Sequence, residues 1–162
     1  MKNNDMDLSP QDVKILDILQ NDAGKTTGEV AEAINLSQAP CWRRINRIQE
    51  EGYIQKKVAI LDREKLGMDV VVFATVNLNT HSIDTLEAFE DAMHGLDEVV
   101  ECYTMTGLWD YILKIVVRDI RHYETFVRSH LTTLSMIREV HSHIAATEVK
   151  YGTQLPLNTQ LK

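Results

Sequence analysis

The stretch that decides the fold is NLSQAPCWRRINR, residues 35–47. Asn35–Ser37 has the composition of a tight turn, Ser37 can cap the helix that follows, and Pro40 suits the first turn of that helix. The apolar spacing continues the helix to Glu51, and Gly52 ends it. These signals predict a turn directly followed by a helix.

Two further helices are predicted before this turn. Ser9-Pro10-Gln11-Asp12 combines a side-chain cap, a first-turn proline and an acid near the positive end of the helix dipole. Thr26-Thr27-Gly28-Glu29 fits a capping box, in which Thr26 and Glu29 satisfy each other's backbone donors. The first sixty residues therefore predict three short helices. The last two are joined by a three-residue turn, which is typical of a helix-turn-helix.

The third helix has two different faces. At about 100° per residue its apolar side chains fall on one side and anchor it: Cys41, Ile45 and Ile48. Arg43 and Arg47 fall opposite, and Arg44 flanks them. Guanidinium groups bind phosphate oxygens or the paired acceptors of guanine in the major groove. The helix therefore fits duplex DNA, and the alternative, a solvated basic face on an ordinary helical hairpin, stays open.

The N-terminal end of such a helix is where base edges are usually met. The predicted DNA-binding residues are therefore Ser37, Gln38, Ala39, Arg43, Arg44 and Arg47. Trp42 lies among them, and a tryptophan there is expected in the core or at an interface rather than as a wedge between bases.

The rest of the chain changes its hydrophobic period. Strands are predicted at Val70–Asn79, Glu98–Thr106, Trp109–Val117 and Ile137–Tyr151, and an earlier strand-like segment covers Tyr53–Leu61. Helical spacing marks one helix from Ile83 to Leu96 and another from Ile120 to Leu134. After the earlier segment the order is β-α-β-β-α-β, the ferredoxin-like arrangement. The predicted fold class is therefore α+β, a winged helix-turn-helix followed by a ferredoxin-like βαββαβ domain.

Both faces of the predicted sheet carry large apolar side chains. In the third strand Tyr111 and Leu113 point one way and Ile112 the other, and in the first strand Val72 and Phe73 point to opposite faces. The two helices cover only one face of such a sheet, and a monomer should not expose an apolar patch of this size. We therefore expect a homodimer with the sheets face to face, whose two helix-turn-helix units prefer an inverted repeat.

Charge is divided unevenly along the chain. The 162 residues carry a net charge of −7, which by itself argues against nucleic acid as a partner. Residues 1–65 sum to −1 and residues 66–162 sum to −6, whereas the segment Cys41–Lys65 is net +3. A basic segment inside an acidic protein indicates two tasks on two domains, with the acidic domain held away from DNA.

Several classes of protein are excluded by what the sequence lacks. Its apolar runs are far shorter than the ~20 residues of a membrane span, and residues 1–20 lack a secretory signal, so a cytoplasmic protein is expected. Cys41 and Cys102 form no disulfide or metal spacing, and His141 and His143 share a strand face without a third ligand. No phosphate loop or nucleophile–base set is present. We therefore predict no catalytic residue, no metal, no cofactor and no enzyme activity.

These elements, in this order, resemble the Lrp/AsnC family of amino-acid-responsive transcription regulators. The resemblance extends from Leu8 to about Leu157. It rests on ILDILQ at 15–20, NLSQAPC at 35–41, RI at 44–45, IQEEGYI at 48–54, GLWDY at 107–111 and EVK at 148–150. The likeness implies a helix-turn-helix at about Thr27–Asn46 and a βαββαβ effector and assembly domain. It also implies dimers that commonly assemble into octamers or similar disks, around which DNA can wrap.

The resemblance further implies an effector, usually a free amino acid, bound between dimers near the loop Thr106–Tyr111. The implied contacts are Thr106, Gly107, Leu108, Trp109 and Asp110. Gly107 permits close backbone approach, and Asp110 could pair with an ammonium group or instead cap the turn. Many members have an acidic residue after the glycine, and Leu108 in its place favours an apolar or aromatic amino acid.

The predicted domains are a helix-turn-helix with its linker at residues 7–66, an effector-binding and oligomerisation domain at 67–151, and a tail at 152–162. The predicted function is a sequence-specific transcriptional regulator that responds to a small metabolite. Its predicted partners are double-stranded DNA, the effector and further copies of the chain. Two alternatives stay open: an architectural DNA-organising protein without an effector, and an enzyme built on the ferredoxin-like domain.

Overall fold

The computed structural model describes residues 8–157, and the chain divides into two compact units. One unit contains the chain up to Ile60 together with the segment that begins at Lys150, and the other is Leu61–Val149. The boundary between the two units lies between Ile60 and Leu61, a few residues before the boundary predicted at residue 66. The described start of the predicted tail belongs to the first unit, and residues 158–162 of that tail lie outside the described residues.

Three helices form the first unit: α1 Pro10–Asn21, α2 Thr27–Ala33 and α3 Gln38–Glu50. The predicted capping box of Thr26 and Glu29 is confirmed, and the predicted cap Ser9 forms a second one with Asp12. In each box the cap hydroxyl accepts the N–H of the third helical residue, whose carboxylate accepts the N–H of the cap residue. Asn35, in the turn before α3, has a left-handed backbone with φ 57°, which asparagine tolerates better than most residues. The local signals thus place the turn where the sequence predicts it.

The core of the first unit lies where α1, α2 and α3 meet. Its fully buried members are Ile15, Val30, Cys41 and Ile48. Burial of these apolar side chains is the main term that stabilises the unit, at about 25 cal/mol per Å² of apolar surface removed from water. The buried residues of α3 are Cys41, Ile45 and Ile48, as the helical wheel predicts. The opposite side of α3 is therefore left outside the core.

The predicted strand Tyr53–Leu61 is wrong, because this segment forms no strand within residues 8–157. A strand needs a neighbour that completes its hydrogen bonds, and the described sheet consists of four other strands. The side chains of Val58, Ile60 and Leu61 are exposed. The pattern identified residues suited to a pleated surface, but a pattern cannot supply the partner.

The segment after Lys150 returns to α1. The Gln20 side-chain amide donates to the Leu155 carbonyl at 3.1 Å, and the Leu155 amide donates to the Gln20 Oε1 at 2.9 Å. Both backbone groups of Leu155 are therefore bonded to the Gln20 side chain, which attaches the described start of the predicted tail to the first unit.

The second unit has the order β1 Val70–Leu78, α4 Ile83–His94, β2 Val99–Thr104, β3 Tyr111–Val117, α5 Ile120–Phe126 and β4 Ile137–Ile144, with a π-helical turn Val127–Leu131 after α5. The sheet order is β2-β3-β1-β4, and neighbouring strands are antiparallel. This confirms the ferredoxin-like arrangement. The last strand ends at Ile144 instead of the predicted Tyr151, because its partner β1 offers no residues before Val70.

Helices α4 and α5 cover one face of this sheet. The buried layer between them consists of Val72, Ala74, Val76 and Leu78 from β1, Tyr111, Leu113, Ile115 and Val117 from β3, and Phe89 and Phe126 from the helices. Cross-strand pairs such as Val72 with Ile115 keep these side chains on the same face. Within residues 8–157 no helix combines the length and the apolar character that crossing a membrane requires.

Candidate DNA interface and effector loop

The N-terminal half of α3 presents a continuous exposed surface. It consists of Ser37, Gln38, Ala39, Trp42 and Arg43, which we call the reading surface. Ser37 occupies the N-cap position, as predicted, but its hydroxyl makes no capping hydrogen bond. The N–H groups of a first helical turn have no acceptor inside the helix. A hydroxyl, an amide and backbone donors are therefore available at this end of α3.

Trp42 is 55% exposed and so does not belong to the core of its unit. The sequence left core and interface as the two expectations, and only an interface agrees with this exposure. Large exposed aromatic side chains on a folded unit commonly mark a contact surface. Trp42 is the residue of the reading surface that sequence reasoning did not assign to DNA.

The three arginines of α3 have different surroundings. Arg43 is exposed and makes no ion pair within the described chain. Arg44 Nη1 lies 2.9 Å from the Asp12 Oδ1 and Arg47 Nη2 lies 2.7 Å from the Asp12 Oδ2. Arg47 also pairs with Glu51 at 3.1 Å. Of the three α3 arginines, Arg43 alone has no anionic partner among residues 8–157.

Asp12 is the centre of this cluster and its side chain is only 1% exposed. The Ser9 backbone N–H and hydroxyl donate to the Asp12 Oδ2 at 2.8 and 2.6 Å. Burial by itself raises the pKa of Asp12, but the hydrogen bonds from Ser9 and Arg44 outweigh it and hold that pKa below its ordinary value of 3.8. Asp12 is therefore ionised over the ordinary range of pH.

The predicted effector loop joins β2 to β3. Thr106, Gly107 and Leu108 are exposed, whereas Trp109 and Asp110 are half-buried. Gly107 has φ 112°, and a Cβ atom there would meet nothing within 4 Å. Glycine is therefore required by this backbone conformation and not by a close approach within the chain.

Asp110 connects the loop to the end of β1. Its Oδ2 accepts the Leu78 N–H at 2.8 Å, its Oδ1 lies 2.9 Å from His81 Nε2, and its own N–H donates to the Asn77 Oδ1 at 3.0 Å. Burial raises the pKa of Asp110, but the bonds from Leu78 and His81 hold it below the ordinary value. These contacts are those of a turn anchor. An ammonium contact to the same carboxylate stays a prediction.

A polar group beside the loop was not found from the sequence. Trp109 and His141 place their ring centroids 4.6 Å apart. Glu139 accepts from Asn77, Arg138 and His141, and these bonds lower the pKa of Glu139 to about 2. The only signal in the sequence is that Glu139 and His141 lie two positions apart on β4 and so share a face, which does not reveal which strand lies beside them.

A cavity of about 380 Å³ lies between α4 and β2, with Glu90, Met93, His94, Cys102, Thr104 and Tyr111 in its lining. The Tyr111 hydroxyl donates to Glu90 at 2.9 Å. Among residues 8–157 no three histidine, cysteine, aspartate or glutamate side chains come together as a metal site.

The sheet face opposite the helices, which we call the open face, mixes apolar side chains with polar ones. Its polar members include Lys114 on β3 and Glu139, His141 and His143 on β4. It carries Val71, Phe73 and Thr75 from β1, Ile112 from β3 and Tyr103 from β2. Phe73 is 39% exposed and Tyr103 57%. The Thr75 hydroxyl is buried without a hydrogen-bond partner among the residues described. This face therefore has both the apolar surface and the unsatisfied donor of an interface.

A helix-turn-helix with an outward-facing helix, followed by a ferredoxin-like domain, defines a two-domain DNA-binding regulator. Residues 8–55 match the family model for winged helix-turn-helix DNA-binding, and residues 71–155 match that for the Lrp/AsnC ligand binding domain. The chain belongs to the Lrp/AsnC family of transcriptional regulators. The resemblance, the fold class and the DNA-binding regulatory function predicted from the sequence are confirmed, and the family is one of regulators rather than enzymes.

Similar proteins agree with this assignment. The glutamate uptake regulatory protein of Zymomonas mobilis is 36% identical over 146 residues, which is 90% of this chain and 88% of that protein. The crystal structure of an AsnC family transcriptional regulator from Agrobacterium tumefaciens has a TM-score of 0.90 and 40% identity, and covers 95% of this chain and 100% of its own. A transcriptional regulator of Neisseria meningitidis, in complex with L-Met, has a TM-score of 0.92 and 30% identity, with 95% and 99% covered.

Proposed function

We propose that the reading surface of α3 enters the major groove of duplex DNA. Ser37, Gln38 and Ala39 lie against base edges, and Arg43 binds a phosphate or a guanine. The observation that carries this proposal is that these residues are exposed together while the opposite side of α3 is buried in the unit's core. Arg44 and Arg47 are the other two predicted DNA contacts. Both form ion pairs with Asp12.

The charge along α3 supports entry by its N-terminal half. Glu50 and Glu51 are exposed at the C-terminal end, where they repel phosphate. Arg43 lies almost two turns earlier, beside Trp42. A helix that approached DNA along its whole length would bring both carboxylates to the backbone, so the favourable contact is at the end that begins with Ser37.

We further propose that the loop Thr106–Asp110 binds a free amino acid with an apolar or aromatic side chain. Leu108 is 82% exposed and supplies apolar surface beside Trp109. Backbone amides near Gly107 can bind the carboxylate of the amino acid. Asp110 and Glu139 are nearby anions that can pair with its ammonium group. The L-Met complex of the Neisseria relative supports an amino acid as the class of effector.

The open face supports a homodimer, which we propose assembles further to an octamer. A second sheet laid on this face would cover Phe73 and Tyr103 and could complete the hydrogen bonding of Thr75. Two helix-turn-helix units joined in this way prefer an inverted repeat. We infer that the protein acts in the cytoplasm, because bacterial DNA, its proposed target, lies there.

The DNA proposal is tested by Arg43→Ala, with Arg121→Ala as a matched control that removes an exposed arginine from α5. Binding to the DNA that flanks the protein's own gene is measured by fluorescence anisotropy between 50 and 200 mM salt. Each lost phosphate contact should lower the slope of log K against log[salt] by about 0.9 per protomer. We expect that loss for Arg43→Ala and none for Arg121→Ala. A guanine contact would instead appear as a loss of affinity for the flanking DNA, so equal slopes together with equal affinities in both variants would contradict the proposal.

The effector proposal is tested by calorimetry of the whole protein against the twenty amino acids. Binding should be confined to apolar or aromatic ones. Leu108→Gln should weaken that binding about tenfold, since roughly one apolar side chain's contact is lost. Val149→Gln, which changes another highly exposed apolar residue, should leave it unchanged. Silence of all twenty amino acids would exclude this effector class.

A further inference from the structure

Two of the three arginines on α3 are bonded to a buried carboxylate on another helix. We propose that Asp12 is a positioning residue that holds Arg44 and Arg47 off the DNA phosphates and thereby sets the specificity of DNA binding. The inference rests on the proposed function of α3 and goes beyond it, because it assigns opposite tasks to neighbouring arginines.

The geometry leaves little freedom to this cluster. Both oxygens of Asp12 are occupied, Oδ1 by Arg44 and Oδ2 by Arg47 and Ser9. Arg44 Nη1 also donates to the Ser9 hydroxyl at 3.0 Å. The carboxylate itself is fixed at the first turn of α1 by the capping box. The carboxylate that holds the guanidinium groups is therefore fixed and buried, while the side chains of Arg44 and Arg47 stay 35% and 36% exposed.

The cap alone does not explain where Asp12 lies. Glu29 has the same place in the capping box of α2 and makes the same bonds to Thr26, yet Glu29 is exposed and contacts no arginine. A carboxylate that served only the cap could remain in water as Glu29 does. Asp12 instead is buried between α1 and α3, where it contacts two cations.

The electrostatic result is a cluster without net charge. Asp12 and Glu51 balance Arg44 and Arg47, which leaves Arg43 as the positive charge of the reading surface. A charge-assisted bond to a buried carboxylate is stronger than a contact with a phosphate that water and salt screen. Arg44 and Arg47 therefore stay with Asp12 when DNA approaches.

This arrangement affects specificity because phosphate contacts favour every DNA sequence alike. Two more guanidinium groups at the DNA phosphates would raise the affinity for every duplex. The share of the binding free energy that comes from base edges would then be smaller. By retaining them, Asp12 keeps non-specific binding weak and leaves discrimination to Ser37, Gln38 and Ala39.

The test compares Asp12→Asn with Glu29→Gln in the full-length protein. Both remove one negative charge and one capping-box carboxylate, but only the first releases arginines. Binding is measured over a salt series to the flanking DNA and to a scrambled duplex of equal length. For Asp12→Asn we expect the slope on scrambled DNA to steepen by about 0.9 to 1.8 per protomer, at about 0.9 for each arginine that reaches a phosphate. Arg44 loses its only anionic partner among the residues described, whereas Arg47 keeps Glu51. The ratio of specific to non-specific affinity should fall about tenfold or more. Glu29→Gln should change neither.

A second variant keeps the test decisive if Asp12→Asn does not fold. Arg44→Gln with Arg47→Gln should leave the wild-type salt slope unchanged, because these arginines do not touch phosphate. A slope reduced by about 1.8 per protomer would overturn the inference. If the wild type prefers the flanking DNA and a folded Asp12→Asn variant binds as the wild type does, the role of Asp12 is overturned but the proposed function is not. Wild-type protein that binds both duplexes alike would overturn the proposed function as well.

Discussion

Two aspartates, one in each unit, support the two surfaces that we assign to function. Asp12 lies behind the reading surface, and Asp110 lies at the base of the effector loop. The pKa of each is lowered because hydrogen bonds and positive charge outweigh the effect of burial. Both units therefore use an ionised carboxylate to fix a functional segment.

The partners of the two carboxylates differ. Asp12 is fully buried and bonds to guanidinium groups, which are permanent cations. Asp110 is 24% exposed and bonds to a backbone N–H and an imidazole. The first carboxylate holds two charged side chains of α3. The second holds the Leu78 backbone and the His81 side chain, while Leu108 stays exposed. The comparison therefore sets a carboxylate that fixes cationic side chains against one that anchors a turn.

The sharpest way to break this comparison is to remove the buried charge. Asp12→Asn should lower the free energy of unfolding by about 3 kcal/mol, because it leaves Arg44 without an anion in the described chain and Arg47 with the exposed Glu51 as its remaining one. Glu29→Gln removes only an exposed cap and should cost about 0.5–1 kcal/mol. Urea unfolding of both variants measures the difference. Equal losses would mean that Asp12 serves the cap alone.

The difference in the free energy of unfolding between wild type and Asp12→Asn should depend on pH. The folded-state pKa of Asp12 lies below its ordinary 3.8, so its contribution to stability is fully present above that pH. It is lost as the pH falls through the lowered folded-state value, where the folded protein also binds the proton. Wild type and Asp12→Asn should therefore differ most near neutral pH and converge in strong acid. A difference that persists unchanged at pH 2 would contradict the ionic explanation.

A smaller effect is expected at the base of the loop. Asp110→Asn weakens the acceptor for the Leu78 N–H and should destabilise the second unit by about 1–2 kcal/mol. Amide hydrogen exchange gives a direct measure, because protection of Leu78 should fall. Asp91→Asn, on the exposed side of α4, should leave that protection unchanged. Unaltered exchange at Leu78 in Asp110→Asn would show that the turn is held by other contacts.

The smallest expected changes in the free energy of unfolding come from two glycine substitutions, and they should have opposite signs in the two units. Gly107→Ala should destabilise by about 1 kcal/mol, since φ 112° is unfavourable for alanine although the space is open. Gly28→Ala should stabilise by about 0.5–1 kcal/mol, since the residue is helical and a Cβ would meet only Thr26 Oγ1 at 3.9 Å. Thermal unfolding of the two variants tests the pair. A stabilising Gly107→Ala would mean that the loop adopts another backbone conformation in solution.

The parts of the fold that the sequence predicted depend on short-range signals. The Ser9–Asp12 and Thr26–Glu29 caps, the turn at Asn35 and the buried side of α3 all follow from residues within a few positions of one another. The strand order followed from alternating apolar residues together with the known preference for the βαββαβ arrangement. The failed strand at Tyr53–Leu61 shows the limit, because its residues are strand-like but no neighbouring strand pairs with it within residues 8–157.

For the candidate sites, the sequence determined which residues carry the chemistry: arginines on one helix, and a glycine followed by apolar residues and an aspartate in one loop. The tertiary structure alone decided what those groups contact. Arg44 meets Asp12 and Asp110 meets Leu78, in both cases across 32 positions of sequence. Caps and helical faces are encoded within a turn or two, whereas a hydrogen bond between distant residues exists only after the core has brought their elements together. That is why Arg43 could be distinguished from the two arginines that contact Asp12 only in the folded protein.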